Sequence, residues 1–207
     1  MTSTSETYGT AQYIPINEDH PNIGQSPYSA TKISSDQISL SYWLSFNLPV
    51  KIVRPFNTYG PRQSSRAVIP TIISQAIEKK EQVKLGSLSP TRDFTYVKDT
   101  VNGFIEIMKS DKLIGTVTNI GTNSEISINE LARKIFNLLN YNDVNIENDN
   151  IRVRPENSEV QRLKCDNTRL LNNTNWEQKY SIEKGLTETI EWIKLNKDIY
   201  KTNIYHV

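Results

Sequence analysis

The chain is poor in the residues that staple, switch or ligate. Among 207 residues there is one cysteine, Cys165, with two histidines and two methionines. One thiol cannot form a disulfide within the chain, which fits a reducing compartment such as the cytoplasm. Cys165 reads as an inert, buried or half-buried thiol rather than a nucleophile. His20 lies in a polar loop and His206 is next to last. Both read as solvated, and with scattered carboxylates they give no metal-ligand spacing. An excess of charge of one sign is also missing: 24 Lys plus Arg against 23 Asp plus Glu give a net charge of +1. Such a balance recruits neither nucleic acid nor an anionic membrane. No apolar run approaches the roughly 20 residues of a membrane span. The start MTSTSETYG lacks the charged and apolar regions of a signal peptide. Glycines are few, eight in all, and no GxGxxG or GxxGxxG occurs. The chain therefore has no Gly-rich turn to cradle a pyrophosphate.

What is present describes a folded, soluble chain of 36% hydrophobic and 23% charged residues. Residues 10–25 are polar and rich in Pro, Asn and Asp, which reads as a loop. Ser26-Pro27 starts a helix that runs to about Phe46 and stops at Asn47 and Pro49. LPVKIVRP is a short buried strand closed by Pro55. Apolar residues at 68, 69, 72, 73, 76 and 77 give a helical face. Short strands are expected at VKLG, within SPTRDFTYV, at TVTNIG and around 151–153. Helices are expected after Asp99, after a Ser127–Glu130 capping box, and after caps at Asp166 and Ser181. Strands alternate with helices, so the fold class is α/β.

Tyr28 and Lys32 stand at i and i+4 on the capped helix, one turn apart on one face. A lysine so placed favours the phenolate, and a phenolate can take a proton from a sugar hydroxyl. The pair by itself is a weak signal, since it equally describes an ordinary surface pair. Its surroundings strengthen it. Upstream is STSETYG with Thr4, Ser5 and Glu6; downstream are RPFNTYGPR with Asn57, TRDFTYVKD, and RPENSEVQR.

In order and spacing these four segments resemble the extended short-chain dehydrogenase/reductases that act on nucleotide sugars, the NAD-dependent epimerase/dehydratase family. The resemblance runs from about residue 2 to 195, and is nearest to the nucleotide-sugar 4,6-dehydratases of the GDP-mannose and legionaminic-acid-pathway types. It implies the C-terminal part of a Rossmann-type doubly wound sheet plus a smaller α/β substrate-binding lobe. Residues 1–60 would be the remnant of the NAD-binding domain. Residues 61–207 would mainly form the substrate lobe, with some segments returning to the first domain. The dTDP-glucose dehydratases carry Thr-Asp-Glu where this chain has Thr4-Ser5-Glu6. UDP-glucuronate decarboxylases share Thr-Ser-Glu, but tend to have a YDEGK-like segment where SPYSATK stands here. A 4-epimerase needs no carboxylate at Glu6.

The resemblance implies roles residue by residue. Tyr28 is the base at the sugar 4-hydroxyl, and Thr4 orients that hydroxyl. Glu6 removes the carbon-5 proton, with loss of water from carbon 6. Lys32 holds the nicotinamide ribose and keeps the Tyr28 phenol acidic. Tyr28, Lys32 and Pro55 would contact NAD, which takes a hydride from carbon 4 and returns it to carbon 6. Asn57, Arg92, Arg154 and Glu159 would contact a nucleoside-diphosphate sugar, the arginines by paired hydrogen bonds to phosphate. Tyr96 and Asp99 read as structural, Asp99 as a helix cap. Val68, Ile69 and Pro70 would wall the base pocket or join the core. The alternatives are a UDP-glucuronate decarboxylase, a 4-epimerase, or a non-catalytic module derived from such an enzyme. A homodimer, paired through the Tyr28 helix, is expected of the parent enzyme.

By the same resemblance, several strand–helix units, on the order of 100 residues, should precede Thr2. The expectation is a fragment, with a separate polypeptide completed by a partner as the alternative. Helix 27–46 and strand 50–54 would then lack sheet neighbours and expose apolar surface. Such a chain should bind NAD weakly and tend to aggregate.

Overall fold

The computed structural model describes residues 1–78, 82–141, 143–149, 152 and 160–200. Helices begin where short polar side chains can cap them. α1 (Pro27–Phe46) starts at Ser26, whose hydroxyl accepts from Ser29 N–H while Ser29 Oγ takes the Ser26 N–H. It stops at Asn47, which turns left-handed at φ 54°. α4 (Ile128–Leu139) opens on the Ser127–Glu130 capping box, and α6 (Ile182–Leu195) on Ser181. The remaining elements are β1 (Ile52–Pro55), β2 (Asn57–Tyr59), α2 (Val68–Ile77), β3 (Gln82–Leu85), β4 (Thr91–Arg92), β5 (Phe94–Tyr96), α3 (Val97–Lys109), β6 (Val117–Ile120), β7 (Ile126–Ser127), β8 (Asn145–Asn148) and α5 (Thr168–Asn173). The architecture is α/β with parallel strand pairs, as expected.

The chain forms two compact units. The first takes residues 1–58, 91–125 and 155–179. In it β1 pairs in parallel with β6, from Ile52 opposite Val117 to Pro55 opposite Ile120. Thr2 bridges Val53 on the other side, with Ser3 N–H donating to Val53 O and Val53 N–H to Met1 O. The expectation that this strand lacks neighbours is thus corrected: the Met1–Ser3 segment and β6 satisfy both its edges. α3 and α5 pack against these strands. Val53, Ile107, Leu113, Ile120, Leu170 and Trp176 make one apolar cluster there. α3 lies so near β6 that a Cβ on Gly103 would come within 2.7 Å of Ile120 Cδ1. Tyr8, Ile16, Phe56, Val160, Leu163 and Cys165 form a second cluster. Cys165 is fully buried, and burial pushes its thiol well above the ordinary value. A buried thiol held in its neutral form is a poor nucleophile, in keeping with its sequence context.

α1 buries little of itself. Only Ser29 and Asp36 are buried on it, while Ile38, Tyr42, Leu44 and Phe46 are exposed. The apolar surface expected on this helix is therefore present.

The second unit takes residues 59–90, 126–154 and 180–207. α2, α4 and α6 pack together over Ile69, Ile72, Ile73, Leu131, Ile135, Phe136, Leu186 and Ile190. β3 pairs in parallel with β8. β8 was not legible in its sequence, NIEN, which carries one apolar residue. The strand expected at 151–153 lies, except for Arg152, outside the described residues. Arg152 donates its N–H to Asp149 O at 2.9 Å and pairs with the Asp149 carboxylate at 3.0 Å.

Two local expectations are corrected. Asp99 does not cap a helix: β5 runs straight into α3, whose N-cap is Tyr96. The Asp99 carboxylate, in the first turn, accepts instead from Lys179 N–H at 3.1 Å. Nor is His20 solvated, being 2% exposed. Its ring lies against Tyr8 and Tyr13. Nε2 accepts from Gln12 N–H, so Nδ1 carries the proton that reaches Pro21 O. Both ring nitrogens find backbone partners, which is why a histidine can be buried in a polar loop. Among the described residues no cluster of His, Cys, Asp and Glu could hold a metal ion, and no helix is long and apolar enough to cross a membrane.

Candidate active site

Every described residue nominated from the sequence for catalysis, cofactor contact or sugar-nucleotide contact falls in the first unit, while the pocket-wall candidates 68–70 fall in the second. Thr4 follows the Met1–Ser3 segment and caps the 3-10 turn Ser5–Tyr8. Its Oγ1 accepts from Glu6 N–H at 3.2 Å, and its carbonyl accepts from Thr7 Oγ1 at 2.9 Å. The turn fixes Glu6, half-buried, two residues from Thr4. Tyr28 projects from the first turn of α1 and is 53% exposed. The Lys32 ammonium lies 5.9 Å from the Tyr28 ring centroid and donates to Thr2 O at 3.1 Å. This bond joins the helix carrying Tyr28 to the segment carrying Thr4.

Beneath these groups lies a buried polar network that sequence reasoning missed. Asp36, one turn beyond Lys32, is fully buried. Its Oδ2 accepts from Ser3 Oγ at 2.8 Å and from Arg54 Nε and Nη2 at 3.0 and 2.8 Å. The Arg54 guanidinium in turn lies 4.7 Å from the Tyr8 ring centroid, a cation–π contact. Tyr8 Oη donates to Asn119 Oδ1 at 2.7 Å. One ion pair thereby joins α1, β1 and both ends of the Thr4–Tyr8 segment. A signal was available: Tyr28, Lys32 and Asp36 recur at i, i+4 and i+8, one helical stripe. Burial first of all pushes the Tyr8 phenol up to about 12, against the opposing pull of Arg54. Tyr8 therefore stays protonated, and of these two tyrosines Tyr28 is the one open to a substrate.

Glu18 is held nearby. It accepts from Asn119 N–H at 2.8 Å and pairs with Arg169 at 3.4 Å; burial raises its carboxyl above the ordinary value.

Pro55 ends β1, half-buried opposite Ile120. Asn57 opens β2, and its N–H donates to Asp93 O at 3.1 Å. Its side-chain Oδ1 is buried and has no hydrogen-bond donor among the described residues. Arg92 is 9% exposed and donates from Nη1 to Thr91 O at 2.9 Å. Arg154 and Glu159 lie outside the described residues. In the second unit Ile69 and Pro70 are buried and Val68 is half-buried, so Ile69 serves the helical core. Tyr96 is buried at the β5–α3 junction, in keeping with a structural part.

The arrangement thus offers a hydroxyl, a carboxylate, an exposed phenol and an ammonium on connected elements. Comparison with known proteins gives it a lineage. The family model described as GDP-mannose 4,6 dehydratase matches residues 1–189. The human dTDP-D-glucose 4,6-dehydratase is 32% identical over 198 residues, 94% of this chain and 55% of that protein. A UDP-N-acetyl-alpha-D-glucosaminuronate decarboxylase from Bacillus cytotoxicus is 34% identical over 202 residues, 93% of this chain and 62% of that protein. The crystal structure of dTDP-glucose 4,6-dehydratase from Bacillus anthracis str. Ames, in complex with NAD, superposes with a TM-score of 0.87 at 31% identity. It is matched over 96% of this chain and 62% of its own. The chain therefore spans a little over half the length of the curated relatives, the part that carries the Thr4 turn and the Tyr28 helix. With the model matched along nearly all of its residues, the chain belongs to the GDP-mannose 4,6 dehydratase family.

Proposed function

We propose that the chain provides the catalytic residues and much of the sugar-binding surface of a nucleotide-sugar 4,6-dehydratase. The observation that carries this reading is the Lys32–Thr2 bond, which couples the exposed Tyr28 helix to the Thr4–Glu6 turn. Tyr28 Oη, as phenolate, removes the proton from the sugar 4-hydroxyl. Thr4 Oγ1 orients that hydroxyl by a hydrogen bond. Once carbon 4 is a ketone, the carbon-5 proton is acidic, and Glu6 removes it as water leaves from carbon 6. With Ser5 beside it, Glu6 either serves twice or a hydroxyl and water chain protonates the departing hydroxyl.

NAD is the cofactor this reading calls for, and the residues present suit one part of it. The Lys32 ammonium has three N–H donors, of which Thr2 O takes one among the described residues, so a ribose hydroxyl pair can use the others. Tyr28, Lys32 and Pro55 would hold the nicotinamide riboside end. No Gly-rich turn is present for the pyrophosphate. When bound, NAD would supply reversible hydride transfer with the sugar.

The test is Glu6→Gln in the full-length protein given a nucleoside-diphosphate hexose. Mass spectrometry should show the wild type releasing one water per sugar. The variant should lose that elimination by about a hundredfold or more while still forming the 4-ketone. Equal elimination by the variant would remove Glu6 from the mechanism. The 34% identity to a decarboxylase supports a second reading, decarboxylation of a nucleotide-linked hexuronate. Release of carbon dioxide from a hexuronate, without water loss from a hexose, would replace the first reading with this one.

A further inference from the structure

We propose that Asp93 is a positioning residue for the sugar nucleotide: it gathers separate segments of the first unit that carry Asn57, an acceptor for a substrate hydroxyl, and Arg92, a guanidinium for the diphosphate. The inference rests on the functional reading above.

Asp93 is fully buried. Its Oδ1 accepts from Thr122 N–H at 2.8 Å and from Thr122 Oγ1 at 2.7 Å. Its Oδ2 accepts from Cys165 N–H at 3.1 Å. Its own carbonyl accepts from Asn57 N–H. One residue therefore ties the start of β2, the turn after β6 and the segment before α5. Neighbouring bonds reinforce the closure. Thr91 N–H donates to Gln161 O and Leu163 N–H to Thr91 O, laying 161–163 beside Arg92. Asn167 Nδ2 donates to Gly121 O at 2.9 Å. The packing leaves no room for a side chain at Gly121: a Cβ there would lie 2.3 Å from Cys165 Cβ and 3.1 Å from Asp93 Oδ2.

What this clamp holds in place is suited to a ligand. Asn57 Oδ1, buried without a donor among the described residues, is an acceptor that a substrate hydroxyl can satisfy. Arg92, next in sequence to Asp93, brings a planar guanidinium that matches phosphate oxygens. Asp93 touches none of Thr4, Glu6, Tyr28 or Lys32 through the bonds above. Its loss should therefore affect binding of the sugar nucleotide and not the chemical step.

The experiment is calorimetric titration of the full-length protein with dTDP-glucose and UDP-glucose, for the wild type and Asp93→Asn. Asn keeps the shape, but its amide NH2 must face the N–H of Thr122 or of Cys165, donor against donor. The expected result is a Kd raised about tenfold with unchanged stoichiometry, and in turnover a raised KM with unchanged kcat. A lowered stoichiometry with unchanged Kd would mean that Asp93 only keeps the chain folded, and overturns the proposal. Thr122→Val keeps Asp93 and its backbone bonds while deleting one hydroxyl donor, so it serves even if Asp93→Asn fails to fold. It should raise Kd about threefold; an unchanged Kd in this variant also overturns the proposal. A wild type that binds neither sugar nucleotide brings down the functional reading and this inference together. A wild type that binds, with both variants binding equally well, brings down the inference alone.

Discussion

Asp36 and Arg54 form an ion pair almost wholly removed from water, with side chains 0% and 3% exposed. Taking two charges out of water costs about as much as their attraction returns, but deleting one of them leaves the other stranded. Asp36→Ala should therefore lower unfolding free energy by roughly 3–5 kcal/mol. The double variant Asp36→Leu, Arg54→Met should recover most of that loss in urea unfolding while leaving the Thr4–Tyr8 turn unanchored and slowing turnover. If the double variant turns over as fast as the wild type, the pair is scaffolding alone. Asp93 makes a second residue-scale case. Burial raises its carboxyl to about 6 despite its hydrogen bonds from Thr122, Cys165 and Ser124. Its folded-state value lies above its unfolded value of about 3.9, so the folded protein holds this proton more tightly. The stability linked to it is fully present below about pH 4 and is lost as pH rises through about 6. Relative to Asp93→Asn, the wild type should lose about 2 kcal/mol of unfolding free energy between pH 4 and pH 7.5. A difference independent of pH would show that the group does not titrate in this window.

At the scale of elements, the site depends on how α1 begins. Tyr28 is the second residue of the helix, and the Ser26–Ser29 capping box holds that first turn. Ser26→Ala should cost about 1 kcal/mol and fray the turn bearing Tyr28. Amide exchange should then rise at residues 28–30 while α6, capped independently at Ser181, is unchanged. Equal exchange in both helices would mean that the cap does not govern the turn. The helices were legible because a cap followed by a 3.6-residue apolar pattern is a local signal. β4 and β7, of two residues each, and β8, with its polar sequence, carry no such signal. They exist because another segment offers them hydrogen bonds.

For the molecule as a whole, the exposed face of α1 is the salient surface. Ile38, Tyr42 and Phe46, at i, i+4 and i+8, are 59, 50 and 72% exposed on one stripe of the helix, an apolar patch of the kind that marks an interaction surface. The protein should self-associate through it in a concentration-dependent way. Tyr42→Lys with Phe46→Lys should shift sedimentation velocity toward the smaller species. Unchanged sedimentation would place any association elsewhere.

The sequence by itself determined the α/β class, the capped helices, and the order of Thr4, Glu6, Tyr28, Lys32, Pro55, Asn57 and Arg92 along the chain. These follow from near neighbours: a cap, a helical stripe, a motif of fixed spacing. Only the tertiary structure decided what those residues rest on. Asp36 meets Ser3 across 33 positions, Asp93 meets Cys165 across 72, and Tyr8 meets Asn119 across 111. His20 is buried because the backbone of its own loop closes over both ring nitrogens. A buried polar group needs its partners supplied wherever in the chain they lie, and that pairing leaves no periodic trace in the sequence.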